Sequence, residues 1–142
     1  MNVSISSDQS KLDLEMIHKF LNEESYWAKN IPFDLLKRSV ENSLCFGVYA
    51  GDKQIGFARV ISDLAVFAYL ADVFILPEYR GKGLSKELVG YIMSYPSLQG
   101  LRRWMLATSD AHELYRKYGF KDLSNPSNFM EISKPKIYEN QS

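Results

Sequence analysis

Six residues, Arg80-Gly81-Lys82-Gly83-Leu84-Ser85, place two glycines and two cations just ahead of an amphipathic stretch. Glycine lets a chain turn sharply and brings its N–H groups close to a ligand. In the stretch that follows, Leu84, Leu88, Tyr91 or Ile92, and Tyr95 fall at helical spacing. A helix start carries unpaired N–H groups and a partial positive charge, which suits an anion, and phosphate best. The frame is neither that of a nucleotide-hydrolysing loop nor that of a dinucleotide fold, because Ser85 and Lys86 stand where further glycine would be needed. Just upstream, the run from Ala65 to Leu76 holds a single charge, Asp72. A lone carboxylate in a buried strand is a candidate general base, since burial raises its pKa toward neutrality. The alternative is a carboxylate that binds an ammonium or fixes the backbone. His112 is the second candidate base, although it reads as pointing outward. No His, Cys, Asp or Glu cluster has metal-ligand spacing, and no Ser-His-Asp arrangement can be argued.

These residues need elements to hold them. Ala65 to Leu76 reads as a strand buried on both faces, stopped by Pro77, which has no N–H for a ladder. Before it, Asn2 to Ser7 alternates as a short strand. A first helix follows, capped by Asp8 or Ser10, with Leu14, Ile17 and Phe20 or Leu21 inward. His18 within it reads as a boundary residue. Pro32 suits the first turn of a second helix with Leu36 and Val40 inward. Tyr26 and Trp27, in the connection, pack between the helices or wall a substrate. Cys45 to Ala50 and Gln54 to Ile61 form a hairpin around Gly51-Asp52. Arg59 reads as an exposed strand position, with a cleft-facing one as the alternative. Asp63 closes that strand in a turn.

Past the Gly83 helix, Leu101 to Thr108 reads as another strand. Asp110 and Glu113 have the spacing of a capping box for a short helix with Ala111, Leu114, Tyr115 and Tyr118 inward. Gly119 suits its C-terminal cap. A last pair of strands is expected from Phe120 to Ile132, then a polar, frayed tail over 135–142. The order of elements gives an α/β sheet with helices on both faces, and a parallel, right-handed crossover from the Ala65 strand to the Leu101 strand.

The run Val73-Phe-Ile-Leu-Pro-Glu-Tyr-Arg-Gly-Lys-Gly-Leu-Ser85 resembles the acyl-coenzyme A motif of the GCN5-related N-acetyltransferases. Ser85 replaces the commoner Gly or Ala of that motif. A second signature, Ala111-His-Glu-Leu-Tyr-Arg-Lys-Tyr-Gly-Phe120, resembles the helix beyond that family's splayed fifth strand. The resemblance covers Ala65 to Phe120 well and the remainder only in element order. It implies a mixed, largely antiparallel sheet with a parallel splay between the fourth and fifth strands. It implies that Arg80, Gly81, Lys82, Gly83, Leu84 and Ser85 hold a pyrophosphate. Val73, Phe74 and Ile75 would pair with the pantetheine arm, and a backbone N–H there would meet the thioester carbonyl. It gives Tyr115 the protonation of the departing thiolate. A phenol near ~10 lies above a thiol near ~8.5, so a neutral tyrosine can donate to the thiolate sulfur. It also lets Tyr26 and Trp27 flank the acceptor. Lys82, Lys86, Arg116 and Lys117 are candidates for the coenzyme's other phosphates, or plain surface charges.

The expectation is therefore an acetyl-CoA-dependent N-acetyltransferase acting on a small-molecule or peptide amine. The alternative is a non-catalytic acyl-CoA sensor on the same fold. With 142 residues the chain suits one domain. Lys plus Arg and Asp plus Glu balance at 17 each, which argues against a broad nucleic-acid footprint. Cys45 is the single cysteine, so no internal disulfide forms, and its apolar neighbours mark it as a core residue. The first residues do not read as a basic-then-apolar signal segment, and no apolar run reaches membrane length. A cytoplasmic protein is expected, without metal, its sheet edge open to pairing in a homodimer.

Overall fold

A computed structural model describes residues 2–139. The Val3/Ile5 alternation forms β1 (Val3–Ser6), antiparallel to β2 (Leu44–Ala50). Gly51, at φ 60°, turns β2 into β3 (Lys53–Ser62), and Ala50 pairs with Lys53 across the turn. β3 pairs antiparallel with β4 (Phe67–Ile75), and β4 pairs parallel with β5 (Arg103–Leu106). The five strands lie in chain order in one sheet. This is the mixed, largely antiparallel sheet with a parallel β4–β5 pair that was expected.

Period-two alternation sorts side chains to two faces. Phe46, Val48, Val60 and Leu70 pack on α3 (Leu84–Met93) through Leu88, Val89 and Ile92. Tyr91 is 37% exposed, so Ile92 takes the inward position. On the other face Cys45, Phe57 and Phe74 meet α1 (Leu14–Glu23) and α2 (Phe33–Glu41) through Ile17, Phe20, Leu36 and Val40. Phe20 stacks on Phe74 with ring centroids 3.9 Å apart. Each fully buried apolar side chain of this kind contributes about 1.5–3 kcal/mol. His18 sits at the boundary, its Nε2 donating to the Ile31 carbonyl at 2.8 Å.

Several expectations give way to local chemistry. β4 starts at Phe67 rather than Ala65, because the Asp63 carboxylate accepts from the N–H groups of Ala65, Val66 and Phe67 at 3.0, 2.9 and 3.1 Å. Asp13 caps α1, accepting from Met16 N, while Asp8 caps the single 3-10 turn before it. The Asp110–Glu113 box does not form. Thr108 Oγ1 instead accepts from Ala111 N at 3.1 Å ahead of α4 (His112–Arg116). The last pair of strands is absent among the described residues, where only a 3-10 turn at Pro126–Asn128 follows α4. Pro126 cannot donate to a ladder, and Met130 and Ile132 stand 97% and 94% exposed. The tail is not wholly frayed either. Ile137 N donates to Lys134 O and Glu139 N to Lys136 O, both at 3.0 Å; residues 140–142 lie outside those described. Among the described residues no helix is long and apolar enough to cross a membrane.

Candidate active site

The site begins where the sheet opens. β4 and β5 pair only from Phe67/Arg103 to Leu70/Leu106. Beyond Leu70, β4 continues alone on that side through Ala71 to Ile75, while its other edge stays paired with β3. Within this free stretch Ala71 faces Arg59 and Phe74 faces Phe57, so Asp72 and Val73 together oppose Ala58. That bulge needs one residue in the left-handed region, and Asp72 takes it at φ 55°. Asp and Asn are the non-glycine residues that tolerate this conformation best.

The bulge turns Asp72 into a cleft of about 890 Å³ between the helix pair and the splay. Arg59 Nε pairs with Asp72 Oδ2 at 2.8 Å, and the two side chains are 17% and 9% exposed. Trp27 Nε1 donates to the other oxygen, Oδ1, at 2.7 Å. A terminal nitrogen of Arg59, Nη1, donates to Ser43 Oγ at 3.2 Å. Arg59 thus faces the cleft, not solvent. Tyr26 packs edge-on against Trp27 and accepts from the Ser109 N–H at 3.1 Å. The connection between α1 and α2 is therefore tied to β4 by Trp27 and to the β5–α4 loop by Tyr26.

Tyr115 projects from α4 to the wall shared by this cleft and a smaller one of about 290 Å³. It is 8% exposed, and among the described residues its hydroxyl has no hydrogen-bond partner. Burial first, then the Asp110 carboxylate and Tyr26, push its phenol up to about 12. The proton therefore stays on Tyr115 Oη at any physiological pH, as a donor requires.

The Arg80–Ser85 turn lies beyond the splay. Gly81 and Gly83 adopt φ 81° and 76°, and a Cβ added at either would meet nothing within 4 Å. Conformation, not crowding, demands glycine there, and the space above the turn is open. Gly83 starts α3 with no side-chain cap. Arg80 folds back, its Nε donating to the Ile75 carbonyl at 3.0 Å, and Lys82 sits over the Tyr79 ring at 5.7 Å.

Of the residues singled out in the sequence, Tyr26, Trp27, Asp72, Val73 and Tyr115 share the large cleft. Phe74 and Ile75 bury their side chains, leaving only their backbone edge. Arg80 to Ser85 line neither cleft. His112 lines the smaller one. Arg116 is engaged by Asp122 at 3.0 Å and Glu113 at 3.7 Å. Tyr118 packs as expected, its hydroxyl donating to the Lys86 carbonyl at 2.7 Å. The sequence reading missed Arg38, Tyr69, Asp110 and Tyr138 as cleft residues. Arg38 gives a usable signal, standing one turn before Asn42 on the polar side of α2. Tyr138 gives none, since only the fold brings the tail back.

Two approaches to one phenol, with an uncapped helix start beyond them, form the arrangement of a transferase that serves two substrates. Comparison with known proteins narrows this. The model of the acetyltransferase (GNAT) domain family matches residues 41–122. A provisionally assigned acetyltransferase of Gibberella zeae, FG08082, is 33% identical over 141 residues, covering 83% of this chain and 78% of that protein. A provisionally assigned GNAT-family acetyltransferase of Xanthomonas campestris pv. campestris superposes with a TM-score of 0.95 at 51% identity, covering 98% of both chains. A provisionally assigned acetyltransferase from Clostridium acetobutylicum, solved with acetyl-CoA, has a TM-score of 0.69 at 17% identity, covering 93% of this chain and 95% of its own. The chain belongs to the GNAT acetyltransferase family.

Proposed function

We propose that the protein is an acetyl-CoA-dependent N-acetyltransferase that passes the acetyl group directly to a primary amine. One observation carries the reading: the unpartnered phenol of Tyr115 stands at the wall between two clefts, the larger of which the unpaired edge of β4 also lines. The residues present fit the coenzyme. The open, glycine-turned start of α3 offers amides from Gly81 to Ser85 for a pyrophosphate, with Lys82 and the remaining guanidinium nitrogens of Arg80 beside them. The unpaired edge at Val73 and Phe74 offers ladder groups for an extended arm, with Ile75 next to them already giving its carbonyl to Arg80. The acetyl-CoA in the Clostridium structure supports the choice of ligand. Bound there, the coenzyme supplies an acyl group activated on sulfur, which leaves as a C–N bond replaces the C–S bond.

The chain's own residues do the rest. Tyr115 Oη holds a proton where the departing sulfur would need one, and burial keeps it there. A backbone N–H on the free edge of β4 can stabilise negative charge on the acyl oxygen. Asp72 receives the amine and accepts the proton that the nitrogen gives up as the C–N bond forms. Each carboxylate oxygen has a second acceptor position left after its bond from Arg59 or Trp27. Trp27 and Tyr26 hold the acceptor against the splay, so most of the rate gain comes from positioning.

Thiol release from acetyl-CoA, followed across a panel of amines, tests this. Amine-dependent release with an N-acetylated product is expected. Release that ignores the amine, or no binding of acetyl-CoA at millimolar concentration, removes the reading.

A further inference from the structure

The cleft's charges are sorted by position. It has four charged lining residues among those described: Arg38, Arg59, Asp72 and Asp110. Arg38 lies on α2, which runs through Ser43 into β2, and Ser43 Oγ accepts from Arg59 on β3. Asp72 lies on β4, and Asp110 lies past β5 at the start of α4, close enough to Tyr115 to raise its pKa. In chain order from α2 to α4, the signs run plus, plus, minus, minus. The middle pair is mutually satisfied at 2.8 Å. The outer two have no ion-pair partner: among the described residues, neither Arg38 nor Asp110 enters a salt bridge. The cleft therefore carries an unpaired cation on α2 and an unpaired anion beside Tyr115.

A cationic acceptor such as a polyamine would leave Arg38 facing like charge, and a neutral amine would leave it unused. We propose, resting on the acetyltransferase reading, that the acceptor carries an anionic group apart from its amine. The amine enters beside Asp72, Asp110 and Tyr115, and the anionic group is held by Arg38 at the α2 end. Arg is suited to this because its planar fork matches carboxylate or phosphate bidentately. Asn42, another lining residue, donates its Nδ2 to the Arg38 carbonyl at 2.9 Å and fixes the backbone from which Arg38 projects.

Matched acceptors test the idea and separate the two anion sources. 6-Aminohexanoate is compared with its primary amide, and 3-aminopropyl phosphate with 3-aminopropanol, each pair keeping its amine nearly constant. The anionic member of at least one pair should show kcat/KM about tenfold or more above its neutral partner, as a charge-assisted contact implies. Whichever pair shows the larger ratio names carboxylate or phosphate. Arg38→Gln should collapse that ratio toward one. Ratios near or below one in the unaltered protein overturn the inference, and so does a ratio that survives Arg38→Gln. If acetyl-CoA binds but no member of either pair is acetylated, the inference fails and the coenzyme assignment stands. If acetyl-CoA does not bind, the reading beneath it fails first.

Discussion

The surroundings of Tyr115 forbid it to ionise, as the proposed proton donor requires. Packed against Phe120, with ring centroids 5.9 Å apart, it loses solvent that a phenolate would need. Tyr115→Phe keeps the packing and removes the proton. Turnover should fall about a hundredfold, within the range for a lost general acid, while the dissociation constant for acetyl-CoA stays within about threefold. An unchanged turnover number would clear Tyr115 of the role. Cys45 is the second group held neutral, its thiol pushed up to about 12 by burial. Iodoacetamide at pH ~8 should leave the folded protein unlabelled and label it fully in denaturant. Both groups bind their protons more tightly folded than unfolded. Their contribution is whole below the unfolded values, 9.0 for the thiol and 10.0 for the phenol, and is lost as pH rises toward about 12. The urea midpoint should therefore fall between pH ~8 and pH ~10.5; a midpoint that rises contradicts the sign. At this scale the sequence marked Asp72 by its isolation in an apolar run. It could not show that Arg59 and Trp27 would take up its oxygens, since 13 and 45 residues separate the partners.

The elements that matter are the connection between α1 and α2 and the turn before α3. Trp27→Phe keeps a ring over the cleft and removes the donor to Asp72. Stability should change by about 1 kcal/mol. KM for the acceptor should rise several-fold with acetyl-CoA affinity unaltered; a change confined to the coenzyme would place Trp27 on the wrong side of the splay. Gly83→Ala forces a Cβ into φ 76°, which costs about 1–2 kcal/mol. Coenzyme affinity should drop with it, while an undiminished affinity would mean that the turn does not hold the ligand. The turn, its glycines and the α3 stripe were legible because they are local: spacing alone dictates them. The expected strands after Phe120 were not. A strand needs a neighbour to pair with, and Asn125-Pro126 with exposed Met130 and Ile132 finds none among the described residues. The box expected from Asp110 fails for a similar local reason: Thr108 Oγ1 takes the N–H groups of Asp110 and Ala111, and α4 starts without a side-chain cap.

For the whole molecule, the sheet is both scaffold and device. Four antiparallel and parallel pairings in chain order hold five strands, and the last of them stops early enough to leave β4 an open edge. The sequence declared the parallel crossover, because a strand, a helix and a strand in that order close on one sheet. It could not declare where pairing would end, which depends on the short reach of β5. Nor could it show that charges from α2, β3, β4 and the start of α4 would line one cleft in order of sign. We propose that the open edge of β4 and the turn at 80–85 together receive acetyl-CoA beside Tyr115. Amide hydrogen exchange with and without acetyl-CoA tests it directly. Added protection should concentrate at residues 71–76 and 81–86 and at α4. Protection elsewhere, with those amides unchanged at saturating ligand, would contradict it.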